Sequence, residues 1–147
     1  MTDLAFKNNW KNILDKVQST LRSEFGGSAP VFIGSAEEKA GSQYFRLEPI
    51  GSDLLELATH LETREFSVNI FYHFDEENIS KTTLDHILRF VSRIEALLHD
   101  NITLDLADST IAYNCRIESC LLDVATEDQT GYITIWDWKC NHTGNTE

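Results

Sequence analysis

Residues 64 to 75 read REFSVNIFYHFD, and this stretch constrains the fold more than any other. Phe66, Val68, Ile70, Tyr72 and Phe74 alternate, which is the period of a half-buried β-strand. The residues between them are Glu65, Ser67, Asn69, Phe71 and His73. That second face is polar, yet it carries a phenyl ring. A strand with one apolar face needs a layer packed on it, and the ring asks for a cover on the other side too. Three acids, Asp75, Glu76 and Glu77, then end the strand.

The flanking segments supply the layer. In residues 4 to 25, Phe6, Trp10, Ile13, Leu14, Val17, Leu21 and Phe25 recur at spacings of three and four, which predicts an amphipathic helix. Gly26 and Gly27 follow where a helix C-cap favours positive φ. A second helix is predicted from about Thr82 to Asp100, capped by Ser80 or Thr82, with Leu84, Ile87, Leu88, Val91, Ile94, Leu97 and Leu98 as its stripe. Further strands are expected at 31–34, at 44–50 (where Pro49 marks an edge or an end), and at 111–124 and 131–140 around the turn TEDQTG. In the last of these, Tyr132, Thr134, Trp136, Trp138 and Cys140 share one face.

Residues 51 to 63, GSDLLELATHLET, satisfy two patterns. Leu54, Leu57, Ala58 and Leu61 line one side of a helix, and the same residues fit an extended arm between two strands. The expected order is thus helix, three strands, helix, two strands. It is an α+β fold with a mostly antiparallel sheet packed by two helices, one domain over residues 1–147, with a loose polar tail from 141 to 147.

A net charge of −12 bears on partners. Residues 1–25 carry four basic against three acidic side chains, so residues 26–147 hold −13. Tight binding to a DNA backbone needs clustered Lys and Arg, which such a surface lacks. An acidic wall past which DNA slides is compatible with it. The first residues, MTDLAFKNNWKN, have no apolar run of a secretory signal, which points to assembly in a cytoplasm.

No chemistry is legible. Cys115, Cys120, Cys140 and His142 match no common zinc spacing, and buried thiols are the simpler expectation. Histidines at 60, 73, 86 and 99 fall on mixed elements with no pair one helical turn apart. Asp75 to Asn78 lack the alternating ligands and glycine of a calcium loop. Ser80, Ser92 and Ser119 sit in no nucleophile elbow, and there is no phosphate-cradling glycine loop. Neither catalysis nor a cofactor nor a metal is expected. The aromatic residues stand out instead: Trp10, Trp136 and Trp138 with Phe71 and Tyr72 suit a sheet that packs helices on one face and a neighbouring subunit on the other.

The layout resembles a known family. An amphipathic helix ends in FGGSAPVFIG; the strand YFRLEPIGS follows; then come the long strand REFSVNIFYHF, the helix LDHILRFVSRIEALLHDN and the closing RIESCLLDV…GYITIWDWKC. Over residues 4 to 140 this is similar to the tail terminator (tail completion) proteins of long-tailed bacteriophages. The resemblance lies in element order and patterning and carries no catalytic residues. It implies a structural virion protein at the tail–neck junction, a hexameric ring that caps the tail tube, ends its polymerisation and joins the neck connector. Partners are then other copies of the chain, the tail tube protein and a neck protein, with DNA passing through the lumen and no membrane involved. The subunit interface is expected at Asn69, Phe71 and His73, at Leu54, Leu57 and Leu61, and at Trp136 and Trp138. The lumen is expected to be lined by Glu37, Glu38, Asp75, Glu76 and Glu77. Two other readings remain: another neck protein of the head-completion or adaptor kind, and an acidic inhibitor or immunity-type protein that captures a basic partner.

Overall fold

The computed structural model describes residues 9–25, 29–34, 43–75, 81–124 and 131–145. Its elements are α1 (Asn9–Phe25), β1 (Val31–Ile33), β2 (Gln43–Ala58), β3 (Leu61–Asp75), α2 (Lys81–Asp100), β4 (Leu104–Asp105), β5 (Ile111–Val124) and β6 (Gly131–Asn145). The strands form one sheet in the order β1-β2-β3-β6-β5-β4. Only β1 and β2 run parallel; every other pair is antiparallel. The α+β architecture expected from the sequence is present, with β4 as a short addition.

Both helices pack on one face of this sheet. In α1 the buried residues are Ile13, Leu14, Val17, Leu21 and Phe25, the stripe read from the sequence. Trp10 meets Phe66 edge-on at 4.8 Å. In α2 the buried side is Ile87, Phe90, Val91, Ile94 and Leu98, while Leu88 faces outward. Phe90 is the contact the stripe omitted; its ring stacks on Tyr72 at 4.9 Å and meets Phe25 at the same distance. Asn101 closes α2 by donating from its side chain to the Leu97 carbonyl at 2.8 Å. The two α1 side chains Gln18 and Arg22 donate to the Val31 carbonyl, which ties the helix to the first edge strand. The glycine cap at 26–27, Ser80 and the turn at 125–130 lie outside the described residues.

The sheet supplies the other half of the core. Phe66, Val68, Ile70 and Tyr72 from β3 are buried beside Trp136, Trp138 and Cys140 from β6. Cross-strand register makes this unavoidable: Ile70 pairs with Trp136 and Val68 with Trp138, and paired residues project to the same side. The assignment of Trp136 and Trp138 to a subunit interface is therefore corrected. Both indoles are fully buried beneath the helices, and Trp136 Nε1 donates to Glu95 Oε1 of α2 at 3.0 Å.

A second correction concerns the end of the chain. Residues 141–145 continue β6 and pair with Leu61–Glu65 of β3. His142 is buried and its Nε2 lies 2.9 Å from Thr110 Oγ1; Thr143 Oγ1 is 2.9 Å from both Thr63 Oγ1 and Tyr113 Oη. The polar composition of NHTGN is that of a strand exposed on one side and cross-bonded through hydroxyls.

The ambiguous stretch 51–63 is the arm. β2 and β3 run on as a hairpin, flanked by β6, to a turn at Thr59 and His60, with His60 at φ 71°. The register shifts between Pro49 and Gly51 and again between Leu54 and Glu56, so Ile50 and Leu55 are bulged residues. β6 accompanies β3 over its whole length, up to the Leu61–Asn145 pair, whereas β5 stops alongside His142.

Candidate assembly surfaces

The face of the sheet away from the helices has no covering layer among the described residues. It is built from direct cross-strand pairs, which bring distant positions into rows. One row runs Phe32, Arg46, Phe71, Ile135, Leu121 across β1, β2, β3, β6 and β5. The next runs Tyr44, His73, Ile133. The rings in these rows form a continuous platform. Tyr44 and His73 stack at 4.4 Å, Phe71 and His73 lie 6.1 Å apart, and Phe32 meets Tyr44 at 6.0 Å. The Arg46 guanidinium sits 4.0 Å above the Phe71 ring and also reaches Glu48 at 3.4 Å. Each ring is half-buried by its neighbours and still open above.

A charged band follows along the same face. Arg116 bridges Glu65 at 2.6 Å and Glu118 at 3.0 Å; Lys139 lies 4.0 Å from both Glu118 and Asp137. Burial lowers the Arg116 pKa, and the hydrogen bonds and charges of Glu65 and Glu118 more than reverse that, holding the guanidinium charged. The band ties β3, β5 and β6 together, and its alternating signs leave little net field. Asn69 belongs to this region, paired with Glu48 and Asp137. Of the expected interface residues, the structure thus gathers Asn69, Phe71 and His73 on one open face.

The arm is a separate surface. Leu54, Leu55, Leu57 and Leu61 are 48%, 52%, 65% and 48% exposed, and Ile50 is 56% exposed. Five large aliphatic side chains are thus exposed on one segment, with Leu54 and Leu57 opposite Arg64 and Glu62 on one face and Leu61 opposite Ala58 on the other, and apolar exposure of this extent marks an interaction site. The expected interface residues Leu54, Leu57 and Leu61 all lie here; Leu55 and Ile50 are additions. The bulges that expose them leave no trace in the helical spacing of the leucines, which is why the sequence pattern missed them.

The opposite end of the sheet is where Asp75, the last residue of β3, lies. Gln43 pairs with Phe74, Asp75 with Gly131 and Val124 with Tyr132, so these strand ends lie together. Asp75 closes β3 there. Glu37, Glu38, Glu76 and Glu77 lie outside the described residues.

Among the described residues no site of another kind is assembled. Among the described residues no group of three His, Cys, Asp or Glu is placed to hold a metal ion. Cys115 and Cys140 are buried neighbours; hydrogen bonding to Cys115 and burial push the Cys140 thiol up, and the same bond lowers that of Cys115. Burial, aided by Glu95, pushes the exposed Cys120 thiol up to about 11. Asp108, Thr110 and His142 place an acid, a hydroxyl and an imidazole in contact. The acid bonds the hydroxyl and the imidazole is in the core, so this is a clasp between the β4–β5 turn and β6 rather than an activated nucleophile. No described helix is long and apolar enough to cross a membrane.

Comparison with known proteins adds one finding. No family model matches the chain, and no curated protein matches it. Among solved structures, a chain of the virion of a native gene transfer agent (GTA) particle is similar, with a TM-score of 0.57 and 11% identity over 95% of this chain and 100% of that one. At that identity the likeness is one of fold alone.

Proposed function

We propose that this chain is a structural virion protein, a tail terminator that forms a hexameric ring on the end of a tail tube, stops its growth and joins it to the neck. The observation that carries the reading is the leucine-bearing arm. A hairpin end that runs past β5 and exposes Leu54, Leu55, Leu57 and Leu61 gains nothing in an isolated chain. It gains a great deal against a neighbouring subunit, where burying that area contributes roughly 25 cal/mol per Å². The open face with Asn69, Phe71 and His73 is the second contact surface with adjoining virion subunits. Likeness over the full length of a chain from a phage-like virion particle supports the same class of role.

The acids fit a passage for DNA. Asp75 and the neighbouring Glu76 and Glu77, with Glu37 and Glu38, would face the lumen. Like charge keeps a polyanion from sticking as it passes. A basic or neutral lumen in the assembled ring would contradict this part of the reading.

Deleting the gene and imaging the lysate by negative-stain electron microscopy tests the proposal. Filled heads lying apart from unjoined tails, some overlong, support a terminator. Normal joined particles overturn it. Defective heads with normal-length tails would instead favour a head-completion or adaptor role.

A further inference from the structure

Two long strand edges have no partner strand among the described residues, and they match. β1 covers β2 only from Phe45 to Leu47, so from Glu48 to Ala58 the outer edge of β2 faces no strand among the described residues. β4 covers β5 only at Ile111 and Ala112, and the Cys115 amide is taken by the Ile102 carbonyl. From Arg116 to Val124 the outer edge of β5 is likewise open. Leu121 and Leu122 are exposed there, as are Leu54, Leu55 and Leu57 on the other edge. Soluble proteins blunt edges of this length because they template pairing with another chain.

We infer that the β2 edge of one copy, residues 48–58, pairs antiparallel with the β5 edge of the next copy, residues 116–124, a contact that rests on the ring reading above and names its seam. Direction supports it: β2 and β6 run one way and β3 and β5 the other, so side-by-side copies in one orientation bring β2 against β5 antiparallel. The contact is head-to-tail, the type that closes rings.

The short strands set the register. The open part of β2 lies level with the arm half of β6, whereas the open part of β5 lies level with its other half. The next copy is therefore displaced along the strands, by about 5–6 residues or roughly 18 Å. Over the four strands from β2 to β5, about 19 Å wide, that stagger corresponds to strands tilted roughly 45° to the ring axis, close to the tilt of closed sheets. In this register β1 of the next copy abuts the end of β5 and β4 abuts the tip of the arm. Each short strand is thus a stop that admits one alignment. An unbroken pleat needs an even displacement, and at about six residues Leu54 falls beside Cys120 and Ala58 beside Arg116, each pair on one face.

The native Cys120 provides the test. A cysteine is placed in turn at Ser52, Asp53, Leu54 and Leu55 in the full chain, rings or particles are isolated, and copper-catalysed oxidation at pH 9 is followed by peptide mass spectrometry. The expected result is an intermolecular link from position 120 to one or two adjacent positions of this set, building a ladder of linked copies, and its loss in a Cys120→Ser background. Rings with no such link, or linked only 120 to 120 as in a two-fold pairing of β5 with itself, overturn the seam and leave the ring standing. Failure to find rings overturns both.

Discussion

His73 stacks on Tyr44 with their ring centroids 4.4 Å apart and their planes 11° from parallel, on a sheet face that no described element covers. The pair is directly opposed across β2 and β3, and Phe71 with Arg46 extends the platform. Replacing Phe71 with Ala removes one cation–π contact and one cross-strand pair, about 1 kcal/mol of stability in the isolated chain. If the platform is a subunit contact, tail joining falls by tenfold or more in the same variant. Urea unfolding and a plating assay measure the two effects separately; equal, small losses in both would make the platform merely structural.

Trp136 separates core from interface most sharply. It is fully buried and bonded to Glu95, so Trp136→Ala removes a large side chain from a filled site and costs about 3–5 kcal/mol. Trp136→Phe retains most of the volume and leaves the Glu95 carboxylate solvent-accessible, with a smaller loss. Denaturant midpoints of the purified variants check the order.

The arm behaves in the opposite way. Leu57→Lys changes a residue 65% exposed, and its effect on the stability of the isolated chain is within about 0.5 kcal/mol. Particle assembly is expected to fail. A folded, stable variant that still yields joined particles would remove the arm from the account.

Cys120 gives a pH-dependent readout. Burial and Glu95 raise its pKa to about 11, and the thiolate is the reactive form. Alkylation by iodoacetamide should therefore rise about tenfold per pH unit through pH 8 to 10 and level off near 11. Glu95→Gln should bring the curve down in pH. Because the folded-state pKa is raised, the protonated thiol favours the fold, and this contribution is lost as pH climbs from about 9 to 11. Cys115 and Cys140, both buried, should react only on unfolding.

The sequence carried the element order because alternation in Phe66–Phe74 and the three-and-four spacing in both helices are local signals. It failed where a decision depended on a partner. Leu54, Leu57 and Leu61 fit a helix and a ribbon equally, and only pairing with β6 and the bulges at Ile50 and Leu55 decide for the ribbon. Asn141 to Asn145 look like a loose end until β3 is placed beside them. Trp136 and Trp138 were aligned on the right face, but which face of β6 meets the helices follows from register with Ile70 and Val68. That signal was available: the more apolar faces of two neighbouring strands belong together. The open edges of β2 and β5 are properties of the strand order alone and have no sequence signature.

The most direct measurement is a reconstruction of the tail–neck junction by electron cryomicroscopy. The account requires six copies of this chain in one ring seated on the last ring of the tube, with the arms between adjacent copies. Another copy number, a position at the head vertex, or a monomer bound to a basic protein away from the particle would contradict it.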